Sequence, residues 1–311
     1  MIGCMPKSAE AWMKGILLTL MAAAFMACGS SRVKQEPTGI DADLQNSNQA
    51  ARLAYENGRL RQAIELYQKA LERAYIRDDL AAMVDAHYNM AVCFTGLQAY
   101  AEALESLGKA KSELNRAGKK VGGDIQLLEA TLLYLKGKPD GAWQITEQIL
   151  SPAKTAAAVD VKRKTHYLRG IISADRNDTD QLRQEMIAIG RPEHTGLRAD
   201  REELAGRLAM AENDWNEATA AFDKTADLRR ENLDYHSMAN ALAMAGQACK
   251  QAGQPLEASK RFLRAGRSAL LQGQKQNALK WLRQATAMAD QAGDTATAQE
   301  AASYLQQLQN Q

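Results

Sequence analysis

Proline is scarce here, six residues in 311, and histidine and cysteine number only four each. A proline inside a helix removes a hydrogen bond and clashes with the preceding turn, so its scarcity leaves long stretches free to run as uninterrupted helix. Runs of alternating apolar and polar residues are missing too, which excludes a sheet protein. Charge of one sign is not in excess: 39 Lys+Arg against 37 Asp+Glu give +2, and removing residues 1–27, with Lys7, Lys14 and Glu10, leaves +1. Such a balance, with no basic run interleaved with aromatics, excludes a nucleic-acid footprint. The histidines His87, His166, His194 and His236 lack the H-E-x-x-H spacing of a zinc site. No metal or cofactor is expected.

One long apolar run is present. Residues 16–31, ILLTLMAAAFMACGSS, follow Lys14 and end at Cys28 with the small residue Ala27 before it. A membrane-spanning helix needs about 20 mostly apolar residues and a signal-peptide apolar region about 7–15. The run therefore reads as a signal peptide over residues 1–27. Phe25-Met26-Ala27-Cys28 resembles the processing site of bacterial lipoproteins, although Phe and Met stand where that family prefers Leu and a small residue. The resemblance implies a diacylglyceryl thioether on Cys28 and a lipid anchor. A plain secretory signal or an uncleaved anchor remains open. Met13-Lys14-Gly15 is a better initiator context than Met1. Gly29 after the cysteine, in place of Asp, implies by the same resemblance an outer-membrane address facing the periplasm. Residues 28–43 are polar and read as a flexible tether. No later run approaches spanning length, so a water-soluble domain is expected over residues 44–311.

That domain repeats itself. GRLRQAIELYQKALERA (58–74) carries Ala63, Tyr67 and Ala70, and LQAYAEALESLGKAKSEL (97–114) carries Tyr100, Ala103, Leu107 and Ala110. Small residues seven apart on one helical face let paired helices approach, and the residue between fills the gap. The pattern fades through residues 127–189, where Gly170, Leu182 and Met186 keep its phase. It sharpens again around Gly206, Trp215, Ala218 and Phe222, and around Gly246, Ala258, Phe262 and Ala265. Its length is about 40, longer than the 34 of the standard motif. Near the end the spacing halves, Ala258 and Ala265 being followed by Ala278 and Ala285, so the helix around 261–271 is expected to serve two neighbouring pairs. The chain resembles the tetratricopeptide-repeat (TPR) family. The fold this implies is all-α, a right-handed α-solenoid of about fourteen helices closed by an amphipathic capping helix.

By the same resemblance the chain is a non-catalytic scaffold that holds a protein or peptide partner in a concave groove lined by first helices. The groove positions, the second, fifth, ninth and twelfth of each repeat, fall on Gln45, Asn48, Arg52 and Tyr55, then on Asp85, Tyr88, Val92 and Thr95. Amide, guanidinium and phenol groups suit an extended peptide. Both tyrosines can instead pack between neighbouring first helices, and the partner can instead use the convex face, the loops or an end. Two roles are compatible with an anchored scaffold: assembly of pili, secretins or outer-membrane proteins, or delivery and regulation of a cell-wall hydrolase or polysaccharide synthase.

Nothing supports an enzyme. The acidic run from Asp175 to Asp180 begins like a calcium loop, but Asp180 stands at the turn glycine and Met186 at the bidentate glutamate, so a helix–turn is expected. Ser151-Pro-Ala-Lys154 lacks the partner motifs of penicillin-binding enzymes. Gly118 to Gly123 reads as an inter-helix loop, with no strand ahead of it to make a phosphate loop. Core positions are expected for Trp143, Trp215 and Trp281, and buried free thiols for Cys93 and Cys249.

Overall fold

The structure is a computed structural model and describes residues 41–151 and 157–309. The leader, Cys28 and the tether up to residue 40 lie outside the described residues, as does Lys154. Among the described residues there are fourteen α-helices and no strand. They are α1 Ala42–Glu56, α2 Leu60–Ile76, α3 Leu80–Gly96, α4 Tyr100–Arg116, α5 Gly123–Leu135, α6 Pro139–Leu150, α7 Val159–Asp175, α8 Thr179–Ile189, α9 Thr195–Ala211, α10 Trp215–Glu231, α11 Tyr235–Gln251, α12 Pro255–Leu271, α13 Lys275–Ala292 and α14 Thr295–Gln309. Contacts group them into two compact units, one ending at Thr165 and one beginning at His166. Each is a stack of helical hairpins of the α-solenoid class, in which a helix packs chiefly on its neighbours in sequence.

The rhythm is one helix per twenty residues. Helices begin at Leu60, Leu80 and Tyr100 in the first unit and at Thr195, Trp215, Tyr235, Pro255, Lys275 and Thr295 in the second. Most are 17 residues long and joined by three-residue linkers. In the linkers one residue takes a left-handed conformation, for example Gly58 (φ 72), Asp78 (φ 50), Asn213 (φ 61), Leu233 (φ 57) and Gly253 (φ 69). Gly58 N–H donates to Tyr55 O and Arg59 N–H to Ala54 O, each at 2.8 Å. This is the Schellman pattern, which satisfies the last carbonyls of a helix. The residue that completes it is also the N-cap of the next helix. Where that residue is aspartate, its side chain accepts an N–H of the new first turn, as Asp79 does from Ala82 (3.0 Å) and Asp234 from Ser237 (3.1 Å). The Asp175–Asp180 run is one such joint: α7 ends, Asn177 turns (φ 56), and Asp178 caps α8 through Gln181 N–H. Gly118 to Gly122 likewise lies between α4 and α5.

Small residues and large ones meet sixteen positions apart on consecutive helices. A Cβ on Gly206 would lie 2.7 Å from the Phe222 ring, and one on Gly266 the same distance from Leu282. Ala51 with Tyr67 and Ala91 with Leu107 repeat the spacing, all four buried. The halved spacing near the end is the same rhythm seen helix by helix, and α12 packs on both α11 and α13. The last helix, α14, buries Thr297 and Ala301 and lays Tyr304, Leu305 and Leu308 against the second unit's core.

Two expectations need correction. The helical array begins at Ala42, inside the segment read as tether, because Asp41 caps Leu44 N–H (2.9 Å) and accepts from Arg73 (2.8 Å) and Arg77 (3.3 Å). Trp281 is buried, but Trp143 and Trp215 are only half-buried. Cys93 and Cys249 are free and buried, as expected, and burial pushes the Cys93 thiol up to about 12.

Candidate functional site

In the first unit the first-helix face starts on α1. Gln45 and Arg52 are exposed there, and Asn48 and Tyr55 are half-buried. The apolar side of α1, Ala51 and Ala54, is sealed against Ala63, Ile64 and Tyr67, and Tyr55 packs on the edge of that cluster. One hairpin further, on α3, Asp85 and Tyr88 are half-buried. Val92 and Thr95 are not groove residues: both are buried, and the Thr95 hydroxyl donates to Ala91 O at 2.7 Å. The next set in register, Ile125, Leu128, Leu132 and Leu135 on α5, is buried throughout. The face is therefore open on α1, half open on α3 and filled on α5.

Of the expected groove residues, Arg52 is exposed and Asn48, Tyr55, Asp85 and Tyr88 are half-buried. Asp85 is electrostatically uncomfortable. Burial pushes its carboxyl up to about 6, and the carboxylates of Asp124 and Asp79 add to the effect. On the far side of α3, His87 is buried with its Nε2 at 3.3 Å from the Tyr75 hydroxyl, which donates to Glu113 at 3.2 Å. Burial lowers the His87 pKa and keeps the ring neutral.

The second unit fills its face differently. Asp200, Glu203 and Arg207 on α9 stand in the register of Asp85, Tyr88 and Val92, yet all three are buried. The Tyr167 hydroxyl donates to Glu203 at 2.9 Å, Arg207 donates to the other oxygen of Glu203 at 2.9 Å, and Arg229 donates to Asp200 at 2.6 Å. A second buried carboxylate, Glu185, is held by Arg169, Gln181 and His166, each at 2.6 Å. Sequence reasoning missed both clusters, since charges on a helix read as a wet face. Toward α13 the register opens again, with Arg283, Ala287 and Asp290 exposed and Lys280 half-buried, its amine lowered to about 8 by desolvation.

A cleft of about 450 Å³ lies at one edge of the second unit, lined by Glu212, Asn213, Asp214, Trp215, Asn216, Ala252 and Gln254. Its polar groups are engaged within the fold: Asp214 caps Glu217, Glu212 pairs with Arg183, and Asn216 accepts from Gln254. No group of His, Cys, Asp and Glu among the described residues is arranged to hold a metal ion.

No protein-family model matches the chain, and no curated protein matches it either. Among solved structures it is similar to the C-terminal part of a TPR repeat-containing protein from Cytophaga hutchinsonii, at 16% identity over 84% of this chain and 94% of that one (TM-score 0.39). It is also similar to a tetratricopeptide repeat protein from Parabacteroides merdae, at 14% identity over 84% and 99% (TM-score 0.44). A third is the TPR2AB domain–pHSP90 complex of yeast Sti1, at 16% identity over 86% and 98% (TM-score 0.32).

Proposed function

We propose that this chain is a lipid-anchored, non-catalytic adaptor of the cell envelope that captures a protein or peptide partner on the first-helix face of α1 and α3. The observation that carries the reading is the open patch of Asn48, Arg52, Tyr55, Asp85 and Tyr88, set on helices that hairpin packing holds in place. An extended segment laid there finds an amide for its backbone, two phenol rings that offer area at low entropic cost, and a guanidinium that forks onto a carboxylate. The anchor is the acylated Cys28 and the address the periplasmic side of the outer membrane. The partner is an envelope protein under assembly.

Anchoring and capture are tested separately. In cells fed labelled palmitate, Cys28→Ala removes the label and releases the protein from the membrane; unchanged labelling would sink the lipoprotein reading. In a pull-down from envelope extract, the double change Asn48→Ala, Arg52→Ala weakens capture of the partner without altering the melting curve, because accessible groove residues contribute little to stability. A partner kept by that variant, but lost when Gln247 and Lys250 on α11 are changed, would move capture to the second unit.

A further inference from the structure

The accessible part of the first unit's face lies on α1 and α3 and carries two charged groups. Arg52 on α1 and Asp85 on α3 make neither an ion pair nor a hydrogen bond among the described residues. Arg52 is exposed, so water serves it well. Asp85 is half-buried, and the titratable groups facing it from the turn ahead of α3 and from α5 are the carboxylates of Asp79 and Asp124. Asp79 is committed to capping Ala82. At neutral pH α3 therefore holds an ionised, partly desolvated carboxylate beside two like charges and no cation, an arrangement that costs stability. One turn further along α3 stands Tyr88, on the same side of the helix as Asp85. Beyond it the face is shut by Val92, Thr95, Ile125 and Leu128, all buried.

We infer that the segment captured on α1 and α3 presents a lysine or arginine side chain to Asp85 and a carboxylate to Arg52. The inference rests on the reading of this face as the capture surface and names the chemistry of what it captures. A cation at hydrogen-bond distance supplies the missing counter-charge, and charge-assisted hydrogen bonds of this kind are the strong ones. The aliphatic stem of the basic side chain has the Tyr88 ring to lie on. The contact at Arg52 is exposed and screened by salt, so Asp85 dominates the preference. Because the face is filled at α5, the recognised segment is short.

The test is a positional-scanning library of octapeptides probed with the full chain and with Asp85→Asn and Arg52→Ala. The wild type is expected to retain peptides with a lysine or arginine at a fixed spacing from an acidic residue. Asp85→Asn should lose the basic preference, roughly tenfold or more for the loss of one charge-assisted hydrogen bond, and keep the acidic one. Arg52→Ala should do the reverse. A second reading separates recognition from structure: Asp85→Asn should raise the thermal midpoint at neutral pH while capture falls. Since the folded carboxyl titrates near 6, above its ordinary value of 3.8, that rise should shrink as pH falls through this window. Peptides retained without a basic preference, a preference that survives Asp85→Asn, or a lowered midpoint would overturn the inference while leaving capture in place. If the wild type retains no peptide, or if retention ignores all of these residues, the capture reading falls with it.

Discussion

The carboxylate of Asp41 does two jobs at the head of the array: one oxygen caps α1 through Leu44 N–H at 2.9 Å, and the other takes Arg73 Nε at 2.8 Å. The Leu44 N–H, with smaller help from Arg73 and Arg77, holds this carboxyl below the usual carboxylate range. Its stabilisation is therefore present above the unfolded pKa of about 4 and is lost as pH falls through the lower folded value. Asp41→Ala should fray α1, seen as faster amide exchange over residues 44–56, and the difference from wild type should close in strong acid. Equal exchange at neutral pH would show that α1 does not depend on this clamp.

Leu233, 71% exposed, sits in a linker at φ 57, where equivalent linkers carry Gly58, Gly253 and Gly273. A left-handed conformation costs an L-residue about 1–2 kcal/mol, and a glycine gives back roughly half of that through the freedom of the unfolded chain. Leu233→Gly should raise the urea midpoint by about 0.5–1 kcal/mol of stability. A lower midpoint would mean that Leu233 has a packing role its exposure does not reveal.

Arg229 is 2% exposed and is bonded to Asp200 at 2.6 Å. Replacing it with methionine keeps the bulk and takes the buried cation away from the carboxylate. Removing one partner of a buried ion pair costs about 3–5 kcal/mol. Unfolding followed by circular dichroism should show a clear fall in midpoint, and no change would mean that water already serves Asp200.

Gly206→Ala puts a methyl 2.7 Å from the Phe222 ring. Overpacking of this kind costs about 1–3 kcal/mol. A second change, Phe222→Leu, should recover part of the loss although it is destabilising alone. Additive losses in the double variant would sink the small-against-large account of hairpin packing.

How much of this could be read from residues alone differs from element to element. The hairpins marked by Ala63 and Ala70, and by Ala103 and Ala110, were legible because close helix approach demands small side chains at fixed phase, and all four are buried. The helices α6 and α8, of 12 and 11 residues, were faint because Ile149, Leu182 and Ile189 stand where the clear hairpins carry alanine. Each still buries two residues seven apart, Ala142 with Ile149 and Leu182 with Ile189, and of these only Ala142 is small. At the site, Asn48, Arg52, Tyr55, Asp85 and Tyr88 are at least partly accessible, but Val92 and Thr95 are packed away. Position within a repeat does not reveal how tightly one first helix closes on the next. The buried Asp200, Glu203 and Arg207 show the same limit from the other side. Only with the helix boundaries in hand do Asp200, Glu203 and Arg207 line up with Ile125, Leu128 and Leu132, because the short α6 and α8 break the step of twenty between them.

The step of twenty residues, unbroken from Thr195 to Thr295, gives the chain a parity. First and second helices alternate, so a change in length by one step exchanges their roles in everything downstream, while a change by two steps leaves them alone. Excising residues 235–274 would remove α11, α12 and their linkers and join the cap Asp234 directly to Lys275, the first residue of α13. Every later helix would keep its inward and outward sides. Excising 255–274 alone would turn the sides that now face one another toward the wrong neighbours. A chain built on this step can be lengthened or shortened in pairs of helices, and hardly at all in single ones.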